Sequence, residues 1–310
     1  MKSVVIINPK SASGNTVKMW REIQASIQRS LGTIEVLMTE YPHHATKLAK
    51  EIAQETDPSK KVDCLIVMGG DGSIHEVVNG LIDENGNVIN PQLKVGILNS
   101  GRGCDFIRTL GVPVIAGEAV SKLVDGHTKA IDIGRIKLQK NGKTEVHYFI
   151  NSFSYGLGGE VARNIQRNES MFSPTTTYFI ASTLGFLKSK PFEIEFTLNG
   201  DTTFKKECMN VFVMNGRYSG GGMHWAPPGR LDDGLLDLIV IEKLAKFKLA
   251  MITPKVYDGT FLDVKEVKHN QVSSVKIKSS KEMYLEMDGE VTQSRDIEIT
   301  VLPKAIQFIC

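Results

Sequence analysis

The strongest candidate for chemistry is a glycine-rich segment, Gly69-Gly70-Asp71-Gly72-Ser73, between an apolar run at Cys64 to Met68 and a helical pattern that begins near Ile74. Glycines at a strand-to-helix turn let backbone N–H groups close on a phosphate, and the amino end of the helix adds favourable partial charge. A carboxylate at such a site needs a cation such as Mg²⁺ or a lysine beside it, or else it takes a proton from a hydroxyl. The alternative is a tight turn in which Asp71 only caps the helix.

Two more loops of small residues follow other predicted strands. Asn8 to Gly14 (NPKSASG) follows the first strand, and Gly101 to Phe106 (GRGCDF) follows the fourth. Because the carboxyl ends of parallel strands meet at one edge of a sheet, the three loops are expected to surround one pocket. Neither a Walker A sequence nor the HRD and DFG landmarks of protein kinases is present. For the first loop, a plain polar connection is the alternative.

The second half of the chain carries two acidic turns, Asp232-Asp233-Gly234 and Asp288-Gly289-Glu290. Adjacent carboxylates beside a glycine turn, with free carbonyls nearby, can bind a hard cation through oxygen. Asp-Gly also favours hairpin turns, so both segments have a purely structural alternative.

The elements that must position these loops change character along the chain. Up to about Ala130, continuous apolar runs alternate with amphipathic helical patterns, which predicts a parallel three-layer sheet. The predicted strands there are Val4 to Ile7, Ile34 to Met38, Cys64 to Met68 and Lys94 to Leu98, and the predicted helices are Val17 to Leu31 (with Asn15 as N-cap and Gly32 as stop), Ala45 to Ala53 and Ile74 to Leu81.

After about Ala130, apolar and polar residues alternate, which indicates a half-buried antiparallel sheet. The predicted strands are Ile131 to Leu138, His147 to Ser152, Phe192 to Leu198, Glu207 to Met214, Leu235 to Ile241, Val272 to Lys278 and Met283 to Met287, with one helix at about Thr175 to Leu187. We expect the domain boundary near Asp125 to Lys129, without a flexible linker.

Composition narrows the class of protein. The chain has 310 residues, 41% apolar and 23% charged, with a net charge of +2, so bulk charge gives no reason to expect a nucleic-acid partner. Its four cysteines are scattered without metal-ligand spacing, which is typical of a reducing compartment. Its seven histidines form no set with the spacing of metal ligands. With no signal-peptide or membrane-spanning pattern, we expect a cytoplasmic protein with peripheral, transient membrane contact only.

The ordered motifs NPKSASG, GGDGSIHEVVNG, the loop ending in Asp105-Phe106, GGGMHWAPPGRLDDGLLDL and MDGE closely resemble the diacylglycerol kinase catalytic family. That family includes bacterial lipid kinases, sphingosine kinases and ceramide kinases. The resemblance implies an α/β plus all-β fold, with an NAD-kinase-like three-layer α/β domain (1–128, joined by a last strand at about 303–310) followed by a β-sandwich lipid-substrate domain (129–302).

The same resemblance implies ATP in a cleft, Mg²⁺ and a lipid substrate. Glu290 matches the family's proposed proton acceptor, with Asp288 assisting it and Asp71 close to the phosphates and Mg²⁺. A structural magnesium site would use the Asp233 side chain with carbonyl oxygens of Arg230 and Leu235. By motif position, the residues around the nucleotide would be Asn8, Pro9, Lys10, Ser11, Gly14, Thr39, Gly69, Gly70, Asp71, Gly72, Ser73, Ile74, His75 and Arg102.

The chain departs from the family pattern in the third glycine loop, which usually reads GTGND. Arg102 replaces the threonine and Cys104 replaces the asparagine, while Ser73 stands where threonine is more common. An arginine could neutralise phosphate through its fork of donors, or it could alter nucleotide choice.

These observations favour a lipid kinase that transfers the γ-phosphoryl of ATP to a hydroxyl of diacylglycerol or a similar long-chain lipid. Two alternatives stay open. A soluble-substrate kinase of the NAD kinase or phosphofructokinase type would share GGDG and the first domain, and a lipid- or nucleotide-binding regulator without activity would fit the altered third loop. Homodimerisation is also left open, and the sequence does not identify the lipid.

Overall fold

The structure is a computed structural model that describes residues 2–101, 103–140, 142–167, 190–245, 248, 252 and 254–310. The chain divides into two compact units, Met1–Ile133 with Pro303–Cys310, and Gly134–Leu302. It passes from the first unit to the second within strand β5, Thr128–Lys140, so regular backbone rather than a linker joins them. Arg102 and the helix predicted at about Thr175 to Leu187 lie outside the described residues.

The first unit contains a parallel sheet. Strands β1 (Ser3–Ile7), β2 (Ile34–Met38), β3 (Cys64–Gly69) and β4 (Lys94–Asn99) lie in the order β4-β3-β1-β2. The end of the last strand, β15 (Glu290–Ile309), pairs in parallel with β4, where Gln307 aligns with Lys94. The apolar runs that predicted these strands are buried, because helices cover the sheet. All four predicted strands of this unit are confirmed.

Five helices of the first unit are described: α1 (Thr16–Leu31), α2 (His44–Gln54), α3 (Asp71–Leu81), α4 (Asp105–Leu110) and α5 (Ala116–Asp125). The three predicted helices are confirmed, whereas α4 and α5 were not predicted. Asn15 occupies the N-cap position of α1, but its amide donates to the Ala12 carbonyl instead of capping. Gly32 ends α1 with φ 82°, as predicted.

The second unit is built from antiparallel strands: the remainder of β5, β6 (Lys143–Phe149), β7 (Ser152–Gly156), β8 (Phe192–Leu198), β9 (Thr202–Met214), β10 (Tyr218–Ser219), β11 (Met223–His224), β12 (Leu236–Glu242), β13 (Val267–Val272), β14 (Ser274–Met287) and the first part of β15. Helix α6 (Leu157–Arg167) follows β7, and the four-residue helix α7 (Lys255–Asp258) lies between β12 and β13. Phe153, Tyr155, Phe196 and Leu285 lie in the main apolar core of this unit. The predicted β-rich second half is confirmed.

Three details of the second unit differ from prediction. The predicted strand His147 to Ser152 is broken at Ile150 and Asn151, between β6 and β7. The two strands predicted between Val272 and Met287 form one strand, β14, with a register shift between Lys278 and Met283. Strands β10, β11 and β13 and the helices Leu157–Arg167 and Lys255–Asp258 were not predicted.

Candidate active site

The three glycine-bearing loops of the first unit meet at the carboxyl edge of the parallel sheet. The Asn8 side-chain amide donates to the Ser73 hydroxyl at 3.1 Å, which joins the first loop to the second. The Ser100 N–H donates to the Gly69 carbonyl at 2.9 Å, which joins the third loop to the second. The predicted convergence of these loops is therefore present in the structure.

Glycine is required where the second and third loops touch. A Cβ added to Gly101 would lie 2.5 Å from the Gly70 Cα, and one added to Gly103 would lie 2.7 Å from the Asp71 Oδ2. At Gly101 the clash is with backbone, so the chain itself would have to move, whereas at Gly103 the Asp71 carboxylate would have to leave its position. The close approach leaves backbone groups, rather than side chains, to line this part of the edge.

The first loop contains strained backbone. Ala12 (φ 51°) and Ser13 (φ 55°) are both left-handed and are followed by Gly14 at φ 88°. Such positions in residues other than glycine cost free energy and concentrate at functional sites. Lys10 and Gly14 are exposed, Asn8, Pro9 and Ser11 are half-buried, and Thr39, after β2, donates its N–H to the Ile7 carbonyl at 2.9 Å.

Asp71 is the first residue of α3, and the N-cap position belongs to Gly70. The predicted start of this helix near Ile74 is therefore three residues too late, and Asp71 does not cap it. Its carboxylate instead accepts hydrogen bonds from the N–H groups of Asp105 at 3.4 Å and Phe106 at 3.3 Å. The carboxylate thus joins the start of α3 to the start of α4. Gly72, beside it, is exposed.

Ile74 and His75 belong to the buried side of α3. They are 1% and 7% exposed, and the His75 ring lies 3.3 Å from the Asn79 amide nitrogen. Packing occupies both side chains, so we expect only their backbone groups to face a nucleotide.

A layer of buried polar side chains beneath the loops was not predicted. The Thr16 hydroxyl donates to the Ser11 carbonyl at 2.9 Å and lies 3.0 Å from the Ser100 hydroxyl oxygen. Asn99, the last residue of β4, contacts the third loop through both polar atoms of its side chain. These residues could have been noticed as polar side chains at the ends of buried apolar strands or at the start of a helix.

Cys104, one of the two departures in the third loop, is buried and left-handed at φ 59°. Its sulfur accepts a hydrogen bond from the Asn99 amide at 3.2 Å and lies 3.6 Å from the Gly101 carbonyl oxygen. Burial, reinforced by the negative charge of Asp71, raises the pKa of the Cys104 thiol. The group is therefore a neutral thiol near pH 7.

In the second unit, Asp288 and Gly289 form the two-residue turn between β14 and β15. Both have positive φ, 48° and 96°, and Met287 pairs with Glu290 across the turn, as in a type I′ hairpin. The Asp288 carboxylate accepts three backbone hydrogen bonds, from Ile150 at 2.6 Å, Asn151 at 3.1 Å and Ser152 at 2.9 Å.

These three bonds change the expectation for Asp288. They occupy both oxygens of the carboxylate, so this geometry suits a residue that positions the turn. They also explain the break between β6 and β7, since the amides at the break point toward Asp288. Glu290, the next acidic residue, is exposed.

The Asp233 segment is an exposed loop before β12. The Asp233 Oδ1 accepts the Leu235 N–H at 3.1 Å, and the intervening Gly234 is left-handed at φ 76°. Arg230 pairs with Asp232 across 3.4 Å. Within the described ranges, no group of three or more His, Cys, Asp or Glu residues could hold a metal ion. A cation here would need carbonyl oxygens beside one carboxylate.

The chain is therefore a two-domain protein. An α/β unit with three glycine loops at one sheet edge is followed by an antiparallel β unit. Residues 2–136 match the family model described as the diacylglycerol kinase catalytic domain, and residues 151–310 match the YegS C-terminal NAD kinase β-sandwich-like domain. The predicted fold class and the predicted resemblance are confirmed. The chain belongs to the family of the YegS C-terminal NAD kinase β-sandwich-like domain, whose model covers more than half of it, and residues 2–136 are similar to the diacylglycerol kinase catalytic domain.

Relatives in sequence and in structure agree. The chain is 26% identical over 289 residues to a diacylglycerol kinase of Bacillus subtilis, covering 92% of this chain and 88% of that protein. It is 27% identical over 287 residues to a diacylglycerol kinase of Staphylococcus carnosus, covering 92% and 87%.

Two crystal structures of Bacillus anthracis proteins share the fold. One has a TM-score of 0.80 at 26% identity and covers 99% of this chain and 94% of that one. The other, a diacylglycerol kinase, has a TM-score of 0.75 at 24% identity and covers 99% and 96%. No helix within the described part of the chain is long and apolar enough to cross a bilayer.

Proposed function

We propose that this protein transfers the γ-phosphoryl group of ATP to a hydroxyl of diacylglycerol or a similar long-chain lipid. The family models and the named relatives support its class, an ATP-dependent lipid kinase. We also propose the choice of lipid, the roles of individual residues and the metal ions.

The observation that carries the proposal is the meeting of the three loops. Gly70 and Gly101 approach so closely that no side chain fits between them, and the loops are cross-linked through Asn8, Ser73 and Ser100. An edge lined by backbone N–H groups and the amino end of α3 suits the oxygens of a triphosphate. Phosphoryl transfer depends chiefly on such positioning and charge neutralisation.

Asp71 fits a role beside Mg²⁺. Its carboxylate is half-buried at the junction of the second and third loops, where a carboxylate and phosphates together require a cation. When bound, Mg²⁺ would neutralise charge on the phosphoryl oxygens. A second Mg²⁺ would be held by the Asp233 carboxylate and the carbonyls of Arg230 and Leu235, which match a hard cation by donor type.

We propose Glu290 as the group that accepts the proton of the lipid hydroxyl. It is exposed, and it follows a turn that Asp288 fixes through three amides. In this assignment Asp288 is a positioning residue. The glycine loops of the first unit would bind and orient the phosphates. The lipid would be reached by peripheral contact with a membrane surface.

A panel of acceptors with γ-labelled ATP tests the substrate class. Mixed micelles would carry diacylglycerol, monoacylglycerol, phosphatidylglycerol, sphingosine or ceramide, and NAD would be assayed beside them in solution. We expect label in at least one lipid and none in NADP. Label in NADP alone would show a soluble-substrate kinase, and nucleotide binding without label in any acceptor would show a regulator.

A further inference from the structure

The side chain of Asn99 contacts the backbone of the third glycine loop, the loop in which Cys104 departs from the family pattern. Asn99 is 5% exposed at the end of β4. Its Nδ2 lies 3.2 Å from the Gly101 carbonyl oxygen, 3.2 Å from the Cys104 sulfur and 3.4 Å from the Val114 carbonyl oxygen. Its Oδ1 accepts the Gly101 N–H at 3.2 Å.

These contacts fix both ends of the loop. At one end, Gly101 is held where its Cα packs against Gly70. At the other end, Cys104 is held in the left-handed conformation that precedes α4. The first amides of α4, from Asp105 and Phe106, then point at the Asp71 carboxylate. The side chain of Asn99 therefore connects the spacing of two glycine loops to the placement of an acidic group.

We propose that Asn99 is a positioning residue for the nucleotide phosphates, acting through Gly101 and Cys104 and without touching the nucleotide. The inference rests on the proposed function for its ligand, ATP. A buried asparagine with this many backbone contacts holds a loop in one conformation, because each unpaired buried polar group would carry a desolvation penalty. Cys104 belongs to the same arrangement, since its sulfur shares the Asn99 amide with two carbonyls.

The test compares Asn99→Leu with a matched control. Leucine keeps the shape of the side chain and removes every donor and acceptor. Asn90→Leu is the control, because Asn90 precedes β4 in the same unit and its Oδ1 accepts only a turn amide, from Gln92 at 3.2 Å. Thermal melting of both variants separates a loss of folding from a change at the loop.

Two measurements need no lipid. The first is the dissociation constant of Mg-ATP, which we expect Asn99→Leu to raise by at least about tenfold, the factor that corresponds to about 1.4 kcal/mol. The second is the rate of alkylation of Cys104 in the folded protein, read peptide by peptide in a mass spectrometer. Cys64 and Cys208, whose pKa values burial raises to about 12, provide internal references. We expect Cys104 alone to react faster in Asn99→Leu.

Kinetic constants distinguish a role of Asn99 in positioning the phosphates from a role in the stability of the fold alone. We expect the KM for ATP to rise while kcat with saturating ATP stays within about threefold, because an interaction lost equally in ground and transition states changes KM and not kcat. Should Asn99→Leu lose thermal stability yet keep the wild-type dissociation constant and Cys104 reactivity, the inference is overturned. Wild-type protein that binds no Mg-ATP would instead overturn the proposed function.

Discussion

The two units present their motif residues in different ways. In the first unit the motifs place glycines where two loops touch, and the loops are held together by the side chains of Asn8 and Asn99 and by the N–H of Ser100. In the second unit the motif residues are carboxylates on tight turns, one tied to three amides and one exposed. The loops of the first unit determine the shape of a surface lined by backbone groups, whereas the turns of the second unit hold negative charge in a defined position.

This difference predicts that mutations in the two units will impair different properties of the enzyme. Changes in the glycine loops should weaken nucleotide binding, because they alter the spacing of backbone donors. Changes at the acidic turn should lower turnover while nucleotide binding persists. Nucleotide binding and turnover are therefore both measured on every variant, so that the effects of the two units can be separated.

The largest effect is expected for Glu290→Gln. A general base contributes roughly 10²- to 10⁴-fold, so turnover should fall by about that factor while the ATP dissociation constant changes less than about twofold. Labelled ATP with a lipid substrate measures the first quantity and calorimetry the second. Glu282→Gln, an exposed glutamate on β14, is the control and should keep wild-type turnover. Undiminished turnover in Glu290→Gln would remove the base from the mechanism.

The next largest effect is expected for Gly101→Ala. The new Cβ would lie 2.5 Å from the Gly70 Cα, so the two loops must separate. A displacement of about 1 Å can cost roughly 10²-fold, and we expect kcat/KM for ATP to fall by about that factor, mostly through KM. Gly117→Ala is the matched control, since its Cβ meets nothing within 4 Å in the described structure. Equal ATP binding by the two variants would contradict the account of the glycine loops.

A smaller effect is expected for Asp288→Asn. The substitution removes the charge and turns an NH₂ group toward at least one of three amides, and a hydrogen bond to a charged group contributes about 1.5–3 kcal/mol. We expect turnover about tenfold lower and a lower melting temperature. The pH–rate profile should keep its shape, because Glu290 and not Asp288 takes the proton.

A shifted acid limb in Asp288→Asn would show that Asp288 itself titrates in the reaction. Asp83→Asn is a suitable control for loss of a carboxylate that holds a turn, since Asp83 accepts the N–H groups of Asn85 at 2.9 Å and Asn87 at 2.8 Å in the first unit. It should lower stability without changing turnover.

The smallest effect is expected for Asp233→Asn. If Mg²⁺ binds there, a concentration of 100 times its dissociation constant adds about 2.7 kcal/mol of stability to wild type, and a shift of a few degrees in melting temperature should follow. The variant should lose that shift. Asp201→Asn, an exposed turn residue, should retain it. The same magnesium shift in Asp233→Asn would contradict the proposed site.

Much of the architecture could be predicted from local patterns. Continuous apolar runs such as Cys64 to Met68 require cover on both faces, which fixes a parallel sheet and brings the loops that follow its strands to one edge. The Asp288-Gly289 turn is present because both residues tolerate positive φ. These outcomes depend on neighbours in sequence or on one general rule of topology.

Other features were not predicted because they depend on partners that are far away in the sequence. The break at Ile150 and Asn151 follows from hydrogen bonds to Asp288, which is 138 and 137 residues away in the chain. From the sequence alone, Asn99 is only a polar residue at the end of a strand, because its contacts with the carbonyls of Gly101 and Val114 depend on the fold. The start of α3 at Asp71 was predicted too late because glycine and aspartate are weak helix formers, and a glycine loop was expected there.

The decisive experiment follows the transfer of label from γ-labelled ATP to diacylglycerol in mixed micelles, with wild-type protein and Glu290→Gln side by side. We expect labelled phosphatidic acid from wild type and almost none from the variant, with both proteins binding ATP equally well. Equal labelling by the two proteins, or ATP binding by wild type with no label in diacylglycerol or any related lipid, would contradict this expectation.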